Sequence, residues 1–411
     1  MKILITTDTY SPSINGVVTS VVNLEQELKK KGHDVRILTL KQPKTNTLKE
    51  ETGGVRYYIP SLSAEKIYPE ARVMRSFARA EMKAIIAWRP EIIHSQSEFS
   101  TFRMAHKLAK YLHVPLVHTY HTVYEDYTHY FSSNIRIGKR AVQKFSEFIL
   151  GKTDGIVVPT EKIKQLLLGY GIQKPVFTIP TGIDPHMFQP PPLEEKNQER
   201  AKRGISPNDF VLLYLGRLAK EKNVEEVIHF LATTKDSTFM LLIAGDGPNR
   251  QELECLVKDY GMEQQVHFLG MILPKDVASI YRLADIFVSA SSSETQGVTY
   301  IEALASGVPA LCRNDACLQD IIIQGQTGFL YETKNEFWDA LRMMSTQPEK
   351  MATMKQAAQK KAAEYSSERF GQRIEQMYEE VTLNYPYAHK EEKETTFPRL
   401  LERKYEKNIS K

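Results

Sequence analysis

The chain has 411 residues, of which 42% are hydrophobic and 25% charged, with a net charge of +4. That length exceeds one ordinary core and predicts two globular domains, while so mild a positive charge does not by itself imply nucleic acid. No run approaches the roughly 18 apolar residues of a membrane span. The three cysteines, Cys255, Cys312 and Cys317, lack metal-ligand spacing and leave an odd count, which fits free thiols in a reducing cytoplasm.

The N-terminus opens with a strand, Ile3 to Thr6. Its apolar run is too short for a signal peptide, and Asp8 follows at once. Tyr10-Ser11-Pro12-Ser13-Ile14-Asn15-Gly16 then joins this strand to a helix over Val17 to Lys31. A backbone N–H at Gly16, at the helix start, suits a phosphate; a plain strand-to-helix turn accounts for the same residues. Val35 to Leu40 is the next strand. From Arg72 to Arg89 the pattern predicts a helix with Arg72, Arg75, Arg79 and Lys83 on one side. Val73, Phe77, Ala80, Ala84 and Trp88 fall on the other. Strands follow at residues 92–94, 116–119 and 155–159, and His118-Thr119-Tyr120-His121-Thr122 closes the middle one. Tyr124, Tyr127, Tyr130 and Phe131 crowd ahead of a basic stripe of Lys139, Arg140 and Lys144, with Arg136 nearby. Basic amphipathic helices with aromatics can lie on anionic lipid, although a solvated basic face explains the same pattern. His94 and His129 carry no more than packing or surface roles.

A Pro-rich, charged stretch over 189–196 reads as linker or exposed loop. The strand–helix rhythm then restarts at Phe210 to Leu215. This predicts two α/β halves, each an open parallel sheet, with a hinge near 181–207 and the ligand in the cleft between them. Gly216-Arg217-Leu218-Ala219-Lys220-Glu221-Lys222-Asn223 follows the strand. A glycine there lets a ligand approach the backbone, and Arg217 and Lys222 suit phosphate. Ala244-Gly245-Asp246-Gly247-Pro248 follows the next strand. Arg250 stands where a dinucleotide fingerprint needs its third glycine, which weakens a nicotinamide reading. After a buried strand at 286–289, Glu294 and Glu302 flank a glycine turn, Gln296-Gly297-Val298-Thr299, at a helix start. Backbone N–H groups there attract phosphate and the carboxylates can accept from sugar hydroxyls, so the loop suits a nucleotide-sugar; two solvated carboxylates are the plainer account. A last helix runs from about Ser367 to Leu383, and the charged tail beyond Tyr385 reads as peripheral.

The segment from Glu294 to Glu302 resembles the glutamate-x7-glutamate motif of the family-4 retaining glycosyltransferases, which have a GT-B fold: two Rossmann-like domains facing a central cleft. Gly216 to Lys222 is similar to that family's donor-diphosphate motif, and Gly245-x-Gly247-Pro248 to its nucleotide loop. The resemblance spans about residues 1–383. It implies an N-terminal acceptor-binding domain (1–180), a linker (181–207), a C-terminal nucleotide-sugar domain (208–366), a returning helix (367–385) and a tail (386–411). It places Glu294 and His121 at the donor sugar, with Asp8 a possible neighbour, and Glu302 at the ribose. Gly16, Gly216, Gly245, Gly247, Met271, Gln296, Gly297, Val298 and Thr299 would line the donor site. Arg217 and Lys222 would stabilise the departing diphosphate. No Asp-x-Asp cluster is present, so no cofactor and no obligatory metal are expected. Asn15, Thr181 and Asn223 depart from the family's usual residues without removing a charge the chemistry needs.

Asp8-Thr9-Tyr10-Ser11-Pro12 and His121-Thr122-Val123-Tyr124-Glu125-Asp126-Tyr127 resemble the bacterial diacylglycerol α-glucosyltransferases. That subgroup implies UDP-glucose as donor and the 3-hydroxyl of diacylglycerol as acceptor. It also implies peripheral residence on the inner face of the plasma membrane, with Arg72, Arg75, Arg79, Lys83, Trp88 and Tyr124 at the lipid. Two alternatives remain open: a soluble or polyprenyl-linked glycan acceptor, and a non-catalytic nucleotide-sugar or membrane-surface binding protein.

Overall fold

The structure is a computed structural model. It describes residues 1–13, 15–42, 55–64, 72–76, 78–123, 125, 135–233, 238–291 and 293–388, without the side chains of 135–136 and 386–388. The first half carries strands β1 (Lys2–Thr7), β2 (Asp34–Leu40), β3 (Arg56–Ile59), β4 (Ser61–Ser63), β5 (Arg72–Met74), β6 (Ile92–Ser95), β7 (Leu116–Thr119), β8 (Gly155–Val158) and β9 (Val176–Thr178). Helices α1 (Gly16–Lys30), α2 (Arg79–Trp88), α3 (Ser100–Leu112), α4 (Ile135–Leu150) and α5 (Glu161–Gly169) alternate with them. The main sheet is parallel, in the order β3-β2-β1-β6-β7-β8-β9, and β4 and β5 form a separate antiparallel ribbon.

The second half has strands β10 (Phe210–Leu215), β11 (Phe239–Ala244), β12 (Val266–Gly270), β13 (Ile286–Ser289), β14 (Ala310–Arg313) and β15 (Gly328–Tyr331). Its helices are α6 (Leu193–Ala201), α7 (Val224–Ala232), α8 (Arg250–Asp259), α9 (Val277–Tyr281), α10 (Val298–Ala305), α11 (Lys334–Thr346), α12 (Pro348–Ala362) and α13 (Ser367–Ala388). This sheet is also parallel, in the order β12-β11-β10-β13-β14-β15. Ile3, Leu4 and Ile5 of β1 and Leu212 and Leu213 of β10 are fully buried, as central strands covered on both faces require. In each sheet the winding reverses at the first strand, between β1 and β6 and between β10 and β13. Ligands of open α/β sheets bind outside the carboxyl ends at such switch points.

The halves are stitched where two chain segments cross. Ile183 N–H donates to the Tyr365 carbonyl at 2.9 Å, and Ser367 N–H to the Ile183 carbonyl at 2.7 Å. A Cβ at Gly182 would lie 2.5 Å from the Ser366 carbonyl oxygen, so only glycine allows the segments this close. Helix α13 then packs on α1, and its Phe370, Ile374, Met377, Tyr378 and Val381 join the first-half core of Ile3, Val21 and Leu24. Fully buried His94 shares one hydrogen bond with the Tyr378 hydroxyl at 2.6 Å and another with Thr119 Oγ1 at 2.7 Å. Burial keeps its ring neutral.

Two expectations fail here. Residues 193–201 form α6 rather than a loop. Lys196 and Arg200 bind Asp285 at 3.0 and 2.7 Å, and Arg200 also caps the Leu283 carbonyl, which anchors a charged helix that periodicity alone would leave exposed. The single basic helix over 72–89 does not form either: Arg72 lies in β5, bonded to Ser61, Arg75 lies beyond that strand, and only Arg79 and Lys83 stand on α2. Trp88 faces inward, not toward lipid. It is 8% exposed, donates from Nε1 to Asp34 at 2.7 Å, and lies under the Arg36 guanidinium.

Tyr378→Phe should lower the unfolding free energy by about 1–3 kcal/mol, because His94 keeps a buried ring nitrogen without its partner. Urea unfolding measures this. An unchanged midpoint would mean that the contact does not tie α13 to the first domain.

Candidate active site

The donor-side loops are built on close backbone contacts. Gly216 N–H donates to the Ala244 carbonyl and Leu218 N–H to the Asp246 carbonyl, both at 3.0 Å, which lays the loop after β10 along the loop after β11. A Cβ at Gly245 would lie 1.9 Å from the Gly216 oxygen, and one at Gly247 would lie 2.2 Å from the Leu218 oxygen. Both glycines are therefore demanded by packing, whatever they do for a ligand. Arg217 is partly exposed on this loop, and its carbonyl accepts from the Tyr214 hydroxyl. A short 3₁₀ turn over Lys220–Lys222 ends at Asn223, which is left-handed with φ near 49°. Asn tolerates that conformation, and its amide bonds Glu226.

This turn brings Lys222 to Glu294: Nζ lies 2.7 Å from Oε1, and both side chains retain partial access to solvent. From α5 of the other domain, Lys162 reaches the Glu294 carbonyl at 3.3 Å and clasps Asp315 with contacts of 2.7 and 2.8 Å. Thr160 donates to the Thr295 carbonyl. Gln296 is 6% exposed, and both ends of its amide are taken by Thr181: it accepts from the N–H at 2.9 Å and donates to the carbonyl at 2.7 Å. The structure thus makes Gln296 a clamp between loop and hinge. Gly297 is left-handed and starts α10 with no side-chain cap, which leaves the N–H groups of Val298 and Thr299 for an anion. Glu302, one turn further on, accepts from the Tyr281 hydroxyl at 3.0 Å. Burial raises its pKa to about 7. Met271 is well exposed just past β12.

On the facing domain, Gly16 is exposed at the start of α1 with open space around its Cα. Asn15 caps the helix through Val18 N–H at 3.0 Å, so its side chain does the work that a second glycine would not. His121 Nε2 donates to Gln96 Oε1 at 2.7 Å, which leaves Nδ1 as an acceptor. Burial lowers its pKa to about 4, so it is neutral at physiological pH. Glu98 Oε1 lies 3.4 Å from His118 Nε2 beside it. Asp8 accepts from the Ser100 and Thr101 N–H groups at 3.1 and 2.8 Å, capping α3, and burial raises its pKa to about 6. Among the described residues no His, Cys, Asp and Glu cluster could hold a metal ion. Tyr124 lies outside the described residues.

Two family models match: Glycosyltransferase Family 4 over residues 14–186 and Glycosyl transferases group 1 over residues 195–361. The alpha-monoglucosyldiacylglycerol synthase of Streptococcus pneumoniae is 34% identical over 390 residues, covering 93% of this chain and 87% of that protein. The chain belongs to the family-4 type of GT-B glycosyltransferases. A second relative of the glycosyltransferase, the alpha-monoglucosyldiacylglycerol synthase of Acholeplasma laidlawii, is 28% identical over 92% of this chain and 96% of that one. Anabaena HepE, solved with UDP and glucose, shares the fold with a TM-score of 0.74 at 16% identity, covering 92% of this chain and all of that one.

Sequence reasoning missed Lys162, Asp315, Gln96 and Tyr281. Each meets its partner across a domain gap or between distant turns, and none stands in a local motif. Gly245→Ala should destabilise the glycosyltransferase by about 2 kcal/mol or more, since the new methyl cannot coexist with the Gly216 carbonyl. Thermal unfolding reads it. A wild-type transition would show that the two loops need no glycine.

Proposed function

We propose that the glycosyltransferase moves glucose from UDP-glucose to the 3-hydroxyl of 1,2-diacylglycerol with retention, making α-monoglucosyldiacylglycerol at the inner face of the plasma membrane. The observation that carries the acceptor is the likeness to two monoglucosyldiacylglycerol synthases over more than nine-tenths of the chain. The solvent face of α4, with Ile137 and Phe148 each more than 60% exposed and Arg140 and Lys144 between them, supports a lipid surface. No helix among the described residues is long and apolar enough to cross a membrane.

In this reading the diphosphate lies at Arg217, Lys222 and the uncapped start of α10, which balance the charge that builds as the anomeric C–O bond breaks. The acceptor oxygen attacks from the same face, and its proton passes to the departing diphosphate oxygen. Glu294, oriented by Lys222, accepts from sugar hydroxyls, and neutral His121 offers Nδ1 as a further acceptor. Glu302 accepts from the ribose hydroxyls. Cations and helix N–H groups here do the neutralisation that a metal would otherwise supply, so no obligatory metal is proposed.

Arg217→Ala should lower turnover by on the order of 100-fold. A nearly unchanged rate would remove Arg217 from the diphosphate. Ribose hydroxyls donate to the ionised form of Glu302, whose pKa near 7 makes that form scarce in acid. UDP should therefore bind about tenfold more weakly at pH 6 than at pH 8, from the change in ionised fraction. In Glu302→Gln the slope should shrink to the part that the second ionisation of the diphosphate itself leaves. Calorimetric titration at both pH values decides it, and an equal slope in the variant would clear Glu302 of the role.

A further inference from the structure

An apolar cavity of about 600 Å³ opens on the first domain between α3, α4 and β5. Its lining includes Val73, Phe102, Phe145, Phe148 and Ile149. This volume is in the range of small-ligand sites, roughly 300–1,000 Å³. None of these side chains belongs to the donor machinery. The mouth is aromatic and basic. Phe99 and Phe148 are 52% and 62% exposed, Phe99 stacks on Phe145, and the Lys152 ammonium lies 3.3 Å from the Phe148 ring centroid. Arg103 and Lys107 complete a cationic rim along α3. The pKa of Lys152 is lowered by partial burial and then by Lys110 and Arg103, a sign of cations crowded on this face.

The inner end is different. Glu98 is the one carboxylate among the lining residues, buried against His118 and close enough to act on His121 and Asp8. Ser100, also in the lining, donates its backbone N–H to Asp8 at the carboxyl end of β1. The cavity therefore runs from an exposed aromatic mouth to the switch point of the first sheet, where an acceptor hydroxyl must come to meet the donor. A basic rim favours an anionic membrane surface, and an apolar trough beneath it fits hydrocarbon rather than a sugar chain.

We infer that this groove holds an acyl chain of the diacylglycerol acceptor and, by holding it, draws the glycerol hydroxyl out of the membrane plane toward His121. The inference rests on the lipid-acceptor reading above. The chain leaves one hydrocarbon environment for another, so the groove selects by reach and shape: a chain long enough to fill it is held in place, and a short one is not.

The first test is photolabelling. Diacylglycerol with a diazirine at the end of one acyl chain is placed in vesicles containing phosphatidylglycerol, with the full chain bound. Label is expected in the peptides carrying Arg103–Lys107 and Phe145–Lys152, and excess unlabelled diacylglycerol should compete it away. Label elsewhere would overturn the assignment. So would competition by phosphatidylglycerol but not by diacylglycerol, which would give the groove to an anionic phospholipid. The second test is kinetic. Val73 and Phe148 are exposed, so Val73→Trp and Phe148→Glu should fold. Each should raise KM for dipalmitoyl acceptor about tenfold or more, while KM for dioctanoyl acceptor moves far less. An equal change for both chain lengths would contradict an acyl-chain site. Absence of any lipid glucosylation by the wild-type chain would overturn the lipid-acceptor reading and this inference with it. Wild-type transfer with label outside the groove would overturn the inference alone.

Discussion

One buried amide governs how the cleft is built. Gln296 reads both the N–H and the carbonyl of Thr181, and so fixes the loop that carries Glu294 and the start of α10 to the hinge between domains. Thr181 is itself tied to α1 through Ser20, and Ile183, two residues on, pairs with the segment that leads into α13. A buried amide satisfied at both ends is expensive to displace, because either backbone group would then be stranded without water. The donor loop therefore takes its position from the hinge and not from its own short helix. Lys162 and Thr160 add a second line of contact from α5 to the same loop. These bonds lie on the surface of a cleft, where a ligand or a domain motion has only to exchange them for others.

The polar groups at the cleft divide by environment. Lys222 and Glu294 keep access to solvent and hold each other in place, so each can exchange its partner for a phosphate or a hydroxyl. Asp8 is buried and Glu302 half-buried, and desolvation raises their pKa values, to about 6 and about 7. Both folded values lie above the unfolded ones, so the native state binds more protons between pH 4 and 7. Stability supplied by these groups falls as pH rises through that window. A ligand that donates hydrogen bonds to Glu302 recovers part of that loss. Asp8 already spends its oxygens on capping α3, which ties the acceptor side to the helix that walls the apolar groove.

Much of this was legible from sequence because it is local. Buried strands showed as short apolar runs, and the glycine turn before α10 marked the donor loop. The unread part is non-local. Gln296 meets a residue 115 positions away, and Lys162 meets Asp315 153 positions away. Nothing in either neighbourhood signals the partner. The failed basic helix has a different cause. The periodicity of 72–89 is genuine, but Arg72 to Met74 pairs as a strand with Ser61 to Ser63, and Trp88 is captured by Asp34 and Arg36. Tertiary pairing outweighed helical spacing there. The basic and apolar surface that the sequence suggested at 72–83 is instead most developed on α3 and α4.

The central claim is that these elements serve a glycosyl transfer to lipid. The most direct measurement is transfer of radiolabelled glucose from UDP-glucose into liposomes containing diacylglycerol and an anionic lipid, with no metal added. The account predicts a labelled glycolipid that α-glucosidase cleaves. Slow release of UDP without a lipid product, or a product resistant to α-glucosidase, would contradict it.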